Sequence, residues 1–253
     1  MNRLSKNELK YFASLLTKKH RVAEGLFISE GKRLVSEVIA SDLKVEKIIV
    51  TDKFYQSNEK FLEEIKLKCA DIILCGENDF GRISDTRSPQ GIAAVTAIPE
   101  LPKPGAFNQP VIVALTGVSD PGNIGTILRT GEWFGIAEFI LDEGCVEVYN
   151  PKVVRSSMGA VFHTNIALVK KLEEILLQKK DEGYKVLTAD INGKSINEFK
   201  ISGKNIMVFA SEAHGPSEEI INISDEIISI PGKGKVESLN VASAAAIFLS
   251  RIN

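Results

Sequence analysis

From residue 111 onward the chain is punctuated by short apolar runs: VIVALTG, EFILDE, TNIALV, YKVLTAD, NIMVFAS and EIISIP. Each is of strand length, and several contain an unbroken stretch of apolar residues. A strand that alternates apolar and polar residues can face water on one side, whereas an unbroken apolar strand has to be covered on both. Helical segments fall between most of the runs, and VASAAAIFLSRI closes the chain. The pattern predicts a parallel sheet with helices on both faces, which is the α/β class.

The first hundred residues show the same alternation on a smaller scale. Ser5-Lys6-Asn7-Glu8 is a capping-box pattern, followed by Leu9, Phe12, Leu15 and Leu16 at helical spacing. LFISE, KRLVSEVIAS and KIIV read as strand, helix and strand; NEKFLEEIKLK, DIILC, ENDFGRIS and GIAAVTAI continue the series. The stretch PELPKPGAFNQP at 99–110 holds Pro99, Pro102, Pro104 and Pro110, four of the nine prolines, and such a cluster makes a stiff, extended connector. At 253 residues two domains are expected. The expected division is a small α/β domain over 1–97, a proline-rich linker over 98–110 and a larger α/β domain over 111–253.

Composition bounds the function classes. Hydrophobic residues make up 44% and charged residues 25%, as in a globular chain. No run of about 18 apolar residues is present, which argues against a membrane span. The start, MNRLSKNELKYF, has no apolar h-region and argues against export. Cys69, Cys75 and Cys145 are odd in number and widely spaced, which fits reduced thiols in the cytoplasm. With no C-x-x-C pair and three histidines, no metal site is expected. The net charge of −2 announces no nucleic-acid partner. Residues 1–33 nonetheless carry Arg3, Lys6, Lys10, Lys18, Lys19, Arg21, Lys32 and Arg33 against Glu8, Glu24 and Glu30. This basic start either contacts RNA phosphates or is an ordinary solvated surface.

In an open parallel sheet, ligands gather outside the carboxyl ends of the strands. Here those ends carry TGVSDPGNIG, TADING, ASEAHGPSEE and SIPGKGKVESLN. Gly117, Gly122 and Gly125 do not form G-x-G-x-x-G, and PGKGKVES lacks the spacing of a P-loop, so neither nucleotide fingerprint is met. Pro121-Gly122 forms a turn, and Asn123 is placed to cap the helix that follows. Ile124, Ile127, Leu128 and Gly131 share one face of that helix, and Arg129 borders it. Each polar residue in these loops has a plain structural reading. Asn123 is then only a cap, Arg129 a solvent partner of Glu132, Glu212 an exposed carboxylate in a turn, and Asn240 the cap of a small-residue helix.

Three segments together say more than any one of them. NIGTILRTGEWFG, FASEAHG and SIPGKGKVESLNVASAAAIF resemble, in order and spacing, the three motifs of the SpoU (TrmH-like) RNA 2′-O-ribose methyltransferases of the SPOUT superfamily. GCVEVYNPKVVRSSMGAVF is similar to the segment that family carries between its first and second motifs. The resemblance covers about residues 108–253. Residues 1–97 resemble, more faintly, the substrate-binding domain similar to ribosomal protein L30e that many members carry in front.

The resemblance implies a C-terminal SPOUT α/β domain with a deep trefoil knot, a rare exception to the rule that chains do not thread loops. It implies S-adenosylmethionine as cofactor, held by the backbone of Ala210, Ile230 and Leu239 with Thr188, Ser211, Gly215 and Ser238 nearby. Family members often have glycine at the positions of Ala210 and Ala213, two departures of this chain. It also implies Asn123, Arg129, Glu212, Ser238 and Asn240 as active-site residues. Since a guanidinium stays protonated near neutrality, the role read for Arg129 is a clamp on RNA phosphate that also stabilises developing alkoxide charge. Asn123 would orient the ribose, and Glu212 and Asn240 would hold the loops. The implied protein is a cytoplasmic homodimer acting on RNA, ribosomal RNA rather than tRNA. One rival is a non-catalytic RNA-binding or ribosome-assembly protein of the same fold. The other is a SPOUT enzyme methylating a base nitrogen, against which the SLNVA motif favours ribose.

Overall fold

Ser5 starts the first helix through a reciprocal cap: its Oγ accepts from Glu8 N at 3.2 Å, and Glu8 Oε2 accepts from Ser5 N at 2.9 Å. This is seen in a computed structural model of the chain, which describes residues 2–66, 71–199 and 201–252. Its elements run β1 (Asn2–Arg3), α1 (Lys6–Ser14), α2 (Lys18–Glu24), β2 (Leu26–Glu30), α3 (Lys32–Ala40), β3 (Val45–Thr51), α4 (Asp52–Ser57), α5 (Glu59–Lys66), β4 (Ile72–Cys75), α6 (Glu77–Ile83) and β5 (Ile92–Ala97). They continue with β6 (Val111–Thr116), α7 (Pro121–Trp133), β7 (Glu138–Asp142), α8 (Pro151–Ser157), β8 (Asn165–Val169), α9 (Leu172–Asp181), β9 (Lys185–Ser195), β10 (Asn205–Ala210), α10 (Glu218–Ile223), β11 (Glu226–Ser229) and α11 (Val241–Leu249). Two compact units result, one of residues 1–100 with 147–162, the other of 101–146 with 163–253. No helix among the described residues is long and apolar enough to cross a membrane.

The first unit is a five-stranded mixed sheet in the order β1-β4-β3-β5-β2. β5 runs antiparallel to both β2 and β3, while the pairs with β4 are parallel. Leu9, Phe12 and Leu15 join Phe80 and Ile83 of α6 over one face, against Ile28, Ile49 and Val95. Phe27, one residue from Ile28 and therefore on the opposite face, stacks near Tyr149 (ring centroids 4.7 Å apart) and Phe162 (6.0 Å).

Those aromatic partners come from residues 147–162, which a linear division at the proline-rich linker assigns to the second domain. The structure packs them with the first unit. The attachment is ionic as well as apolar. Arg21 is only 1% exposed; its Nε donates to Glu147 Oε2 at 3.0 Å and its Nη1 to Leu15 O at 2.8 Å. The expectation that Arg21 belongs to a phosphate-binding surface is thereby corrected: its charge is buried and already paired. Arg3 likewise pairs with Asp52 at 2.7 Å, and Lys32 donates to Asn58 at 3.0 Å while lying over the Phe61 ring.

The second unit is a six-stranded sheet in the order β11-β9-β10-β6-β7-β8, parallel throughout, as the unbroken apolar runs require. Leu172 and Leu176 of α9 and Ile220 of α10 cover one face over Ile112, Ala114, Val186 and Ile206. α7 and α11 pack together on the other side, where Phe248 meets Phe209 edge to face at 5.7 Å. α7 sits so close to β7 that a Cβ on Gly131 would stand 2.5 Å from Phe139 Cζ. The chain runs β6, β7, β8 to one side and returns to place β10 on the other side of β6. The strand order therefore reverses between β6 and β10, which is where such sheets bind ligands.

Cys75 and Cys145 are free thiols, and Cys69 lies outside the described residues.

Candidate active site

The loop after β6 is fixed at its base by Asp142. The β7 carboxylate accepts from Thr116 Oγ1 at 2.5 Å and from Gly117 N at 3.0 Å. α7 then begins at Asp120, whose side chain accepts from Asn123 N at 3.0 Å, with Pro121 at the first helical position. Asn123 is therefore not the cap expected from its place in the turn. An aspartate directly before a proline at a helix start was the readable signal. Freed from capping, the Asn123 side chain points into the loops of the other two motifs.

There it meets Glu212 and Asn240. Asn240 Nδ2 donates to Asn123 Oδ1 at 2.9 Å and to Glu212 Oε1 at 3.0 Å, and Asn123 Nδ2 donates to the same Glu212 oxygen at 3.4 Å. Val241 N donates to it as well, at 2.7 Å. Asn240 also caps α11, its Oδ1 accepting from Ala242 N at 3.0 Å and Ser243 N at 3.2 Å. Asn240 thus caps α11 with its oxygen while its nitrogen bonds Asn123 and Glu212. One carboxylate at the positive end of α11 gathers the loops that follow β6, β10 and β11.

Glu212 forms part of the wall of a cavity of about 650 Å³, within the size range of small-molecule sites. Ala210, Ser211, Gly215, Ile230, Ser238 and Leu239 line the same cavity, with Phe209 and Phe248 supplying aromatic surface. Six of the seven residues expected around the cofactor are therefore brought together. Thr188 is the exception: it is fully buried, its hydroxyl 2.7 Å from Ser224 Oγ, and it is not in the cavity wall. Of the two alanines that depart from the family pattern, Ala210 lines the cavity, whereas Ala213 is exposed and does not. Ala189, Asp190, Ile191 and Asn192, which motif reasoning passed over, contribute to the wall from β9.

Arg129 stands exposed on α7, six residues along from Asn123. Among the described residues no hydrogen bond or ion pair holds it, so the pairing with Glu132 that would make it an ordinary surface residue is not formed.

A cavity with mixed apolar and polar walls at the switch point of a parallel sheet, beside a cluster of fixed polar side chains, defines a ligand-binding α/β protein. Residues 110–250 match the model of the SpoU rRNA Methylase family, and residues 6–94 match the MRM3-like substrate binding domain. The chain belongs to the SpoU rRNA methylase family. It is 32% identical over 247 residues to the 23S rRNA (guanosine(2553)-2′-O)-methyltransferase RlmP of Bacillus subtilis, covering 97% of this chain and 96% of that one. Among solved structures, a TrmH-family protein from Porphyromonas gingivalis superposes with a TM-score of 0.87 at 35% identity, covering 98% of this chain and 97% of that one. An AdoMet-bound rRNA methyltransferase from Sinorhizobium meliloti superposes with a TM-score of 0.85 at 25% identity, covering 99% and 95%.

Proposed function

We propose that this protein methylates the 2′-hydroxyl of a ribose in RNA, and in ribosomal RNA in particular, using S-adenosylmethionine. The observation that carries the reading is the joining of Asn123, Glu212 and Asn240, one from each motif, beside the cavity that Glu212 itself lines. Family membership and the relatives named as rRNA 2′-O-methyltransferases support it.

The cavity suits the cofactor: its aromatic and aliphatic surface accepts an adenine, and its polar loop backbone can meet the amino-acid end. Ala210, Ile230 and Leu239, with Ser211, Gly215 and Ser238, would hold it. When bound, S-adenosylmethionine supplies an activated methyl group on a sulfonium. The work of the protein's own residues is then largely positional, and aligned geometry supplies much of such a barrier reduction. Asn123 orients the ribose, and Glu212 and Asn240 keep the three loops in register. Arg129, free of internal partners, clamps a phosphate and stabilises charge developing on the hydroxyl oxygen.

The rest of the reading follows from the same family. The catalytic unit acts as a homodimer in the cytoplasm, its C-terminal segment is threaded as a trefoil knot, and residues 1–97 recruit the RNA as an L30e-like module. Ribose methylation mapped across total RNA, with and without the gene, tests the activity. One ribose methyl should disappear with the gene. A lost base-nitrogen methyl, or no change at all, would sink the assignment. Sedimentation tests the dimer, for which a concentration-independent monomer is the contrary result.

A further inference from the structure

The edge pair of the second sheet breaks its ladder at one place. Ile227 of β11 pairs with Thr188, but the next residue, Ile228, pairs with Lys194. Residues 189–193 of β9 therefore leave the ladder together, where an ordinary bulge displaces a single residue. Gly193 closes the excursion: a Cβ there would stand 2.5 Å from Ile227 C and Ile228 N, so only glycine fits. The excursion turns Asp190 into the cavity wall.

Asp190 is fixed there by its neighbour. Its Oδ1 accepts from Asn192 N at 2.9 Å and from Asn192 Nδ2 at 3.1 Å. Its Oδ2 accepts no hydrogen bond among the described residues and lies 3.9 Å from where a Cβ on Gly215 would stand. Gly215 belongs to the same wall, and no lysine or arginine lines the cavity to serve as counter-ion. A held carboxylate with one unengaged acceptor oxygen thus faces the binding space.

We propose that Asp190 receives the ribose hydroxyls of the cofactor's adenosine at Oδ2, an inference that rests on the cofactor reading above. An ionised carboxylate only accepts, and a vicinal diol offers it two donors. An acid at the carboxyl end of a parallel strand is also where other nucleoside-binding sheets take up a ribose.

The test is a thermodynamic cycle measured by calorimetry without RNA. Wild-type protein and Asp190→Asn are each titrated with S-adenosylhomocysteine and with its 2′,3′-dideoxy analogue. Asparagine retains an oxygen acceptor for Asn192 and preserves the excursion, and unchanged thermal melting checks this. In the wild type, removing the hydroxyls should weaken binding about tenfold or more, as expected for hydrogen bonds to a charged acceptor. In Asp190→Asn, S-adenosylhomocysteine should bind about tenfold more weakly than to the wild type, and removing the hydroxyls should cost little further. Equal hydroxyl penalties in the two proteins would overturn the assignment while leaving the cofactor site intact. A wild type that binds neither S-adenosylhomocysteine nor S-adenosylmethionine would remove both.

Discussion

Asn240 Nδ2 lies 2.9 Å from Asn123 Oδ1 although 117 residues separate them, and both side chains converge on a single oxygen of Glu212. The contact is a direct side-chain join between the first and third motifs. It gives Glu212 a definite task, because without that oxygen the Asn240 amide and the first amide of α11 both lose an acceptor. Hydrogen bonds to a charged acceptor contribute about 1.5–3 kcal/mol each. Glu212→Ala should therefore lower methyl transfer by about tenfold or more and weaken cofactor binding, since the residue also walls the cavity. Single-turnover rates and calorimetry on the same variant check this. A fully active Glu212→Ala protein would show that the junction only shapes the loops.

Arg129 should behave in the opposite way. Being exposed and unheld, it contributes little to folding. Arg129→Ala should retain the wild-type melting temperature and cofactor affinity while losing methyl transfer by about 10²-fold or more. Arg129→Lys should recover little, because an ammonium lacks the planar fork of a guanidinium. Unchanged turnover in the alanine variant would exclude the clamp.

Glu147 is a stability residue of the first unit. It faces a guanidinium whose side chain is only 2% exposed, and removing one partner of such a buried pair leaves an uncompensated charge. Glu147→Gln should destabilise the first unit by about 3–5 kcal/mol. Replacing both Arg21 and Glu147 with well-packed apolar residues should cost far less than either single change. Denaturant titrations of the three variants measure it, and a mild effect from Glu147→Gln alone would refute the account.

The strands and most helices were legible because their signals are local: apolar runs for β6 to β11, and a capping box for α1. The gathering of Ala210, Ile230 and Leu239 into one wall was legible only through motif resemblance, since nothing in their spacing brings three loops together. What escaped reading depends on distant partners. The packing of 147–162 with the first unit turns on Arg21 meeting Glu147, 126 positions away. The excursion of β9 appears in sequence as an ordinary polar turn, TADING, because its cause is the register of β11. The resemblance puts Thr188 near the cofactor, yet it is the last residue before the excursion and remains in the buried ladder.

The fate of Arg21 also reshapes the expectation for RNA recruitment by residues 1–33. With Arg3, Arg21 and Lys32 already paired within the first unit, Lys6, Lys10, Lys18, Lys19 and Arg33 remain exposed and unpaired among the described residues, and Lys18 and Lys19 are adjacent. Each phosphate contact contributes about 0.7 to the log–log salt slope on a single strand and about 0.9 on a duplex. Replacing Lys18 and Lys19 together with alanine should therefore reduce the slope of RNA binding by about one to two units. Affinity for S-adenosylmethionine and thermal stability should stay unchanged, because neither side chain carries an internal contact. Arg21→Ala should show the reverse, a sharp loss of stability with no change in slope per folded molecule. Binding of an rRNA fragment measured across a salt series for the three proteins separates the two kinds of arginine and lysine. Identical slopes for wild type and the double lysine variant would mean that Lys18 and Lys19 only keep this surface solvated.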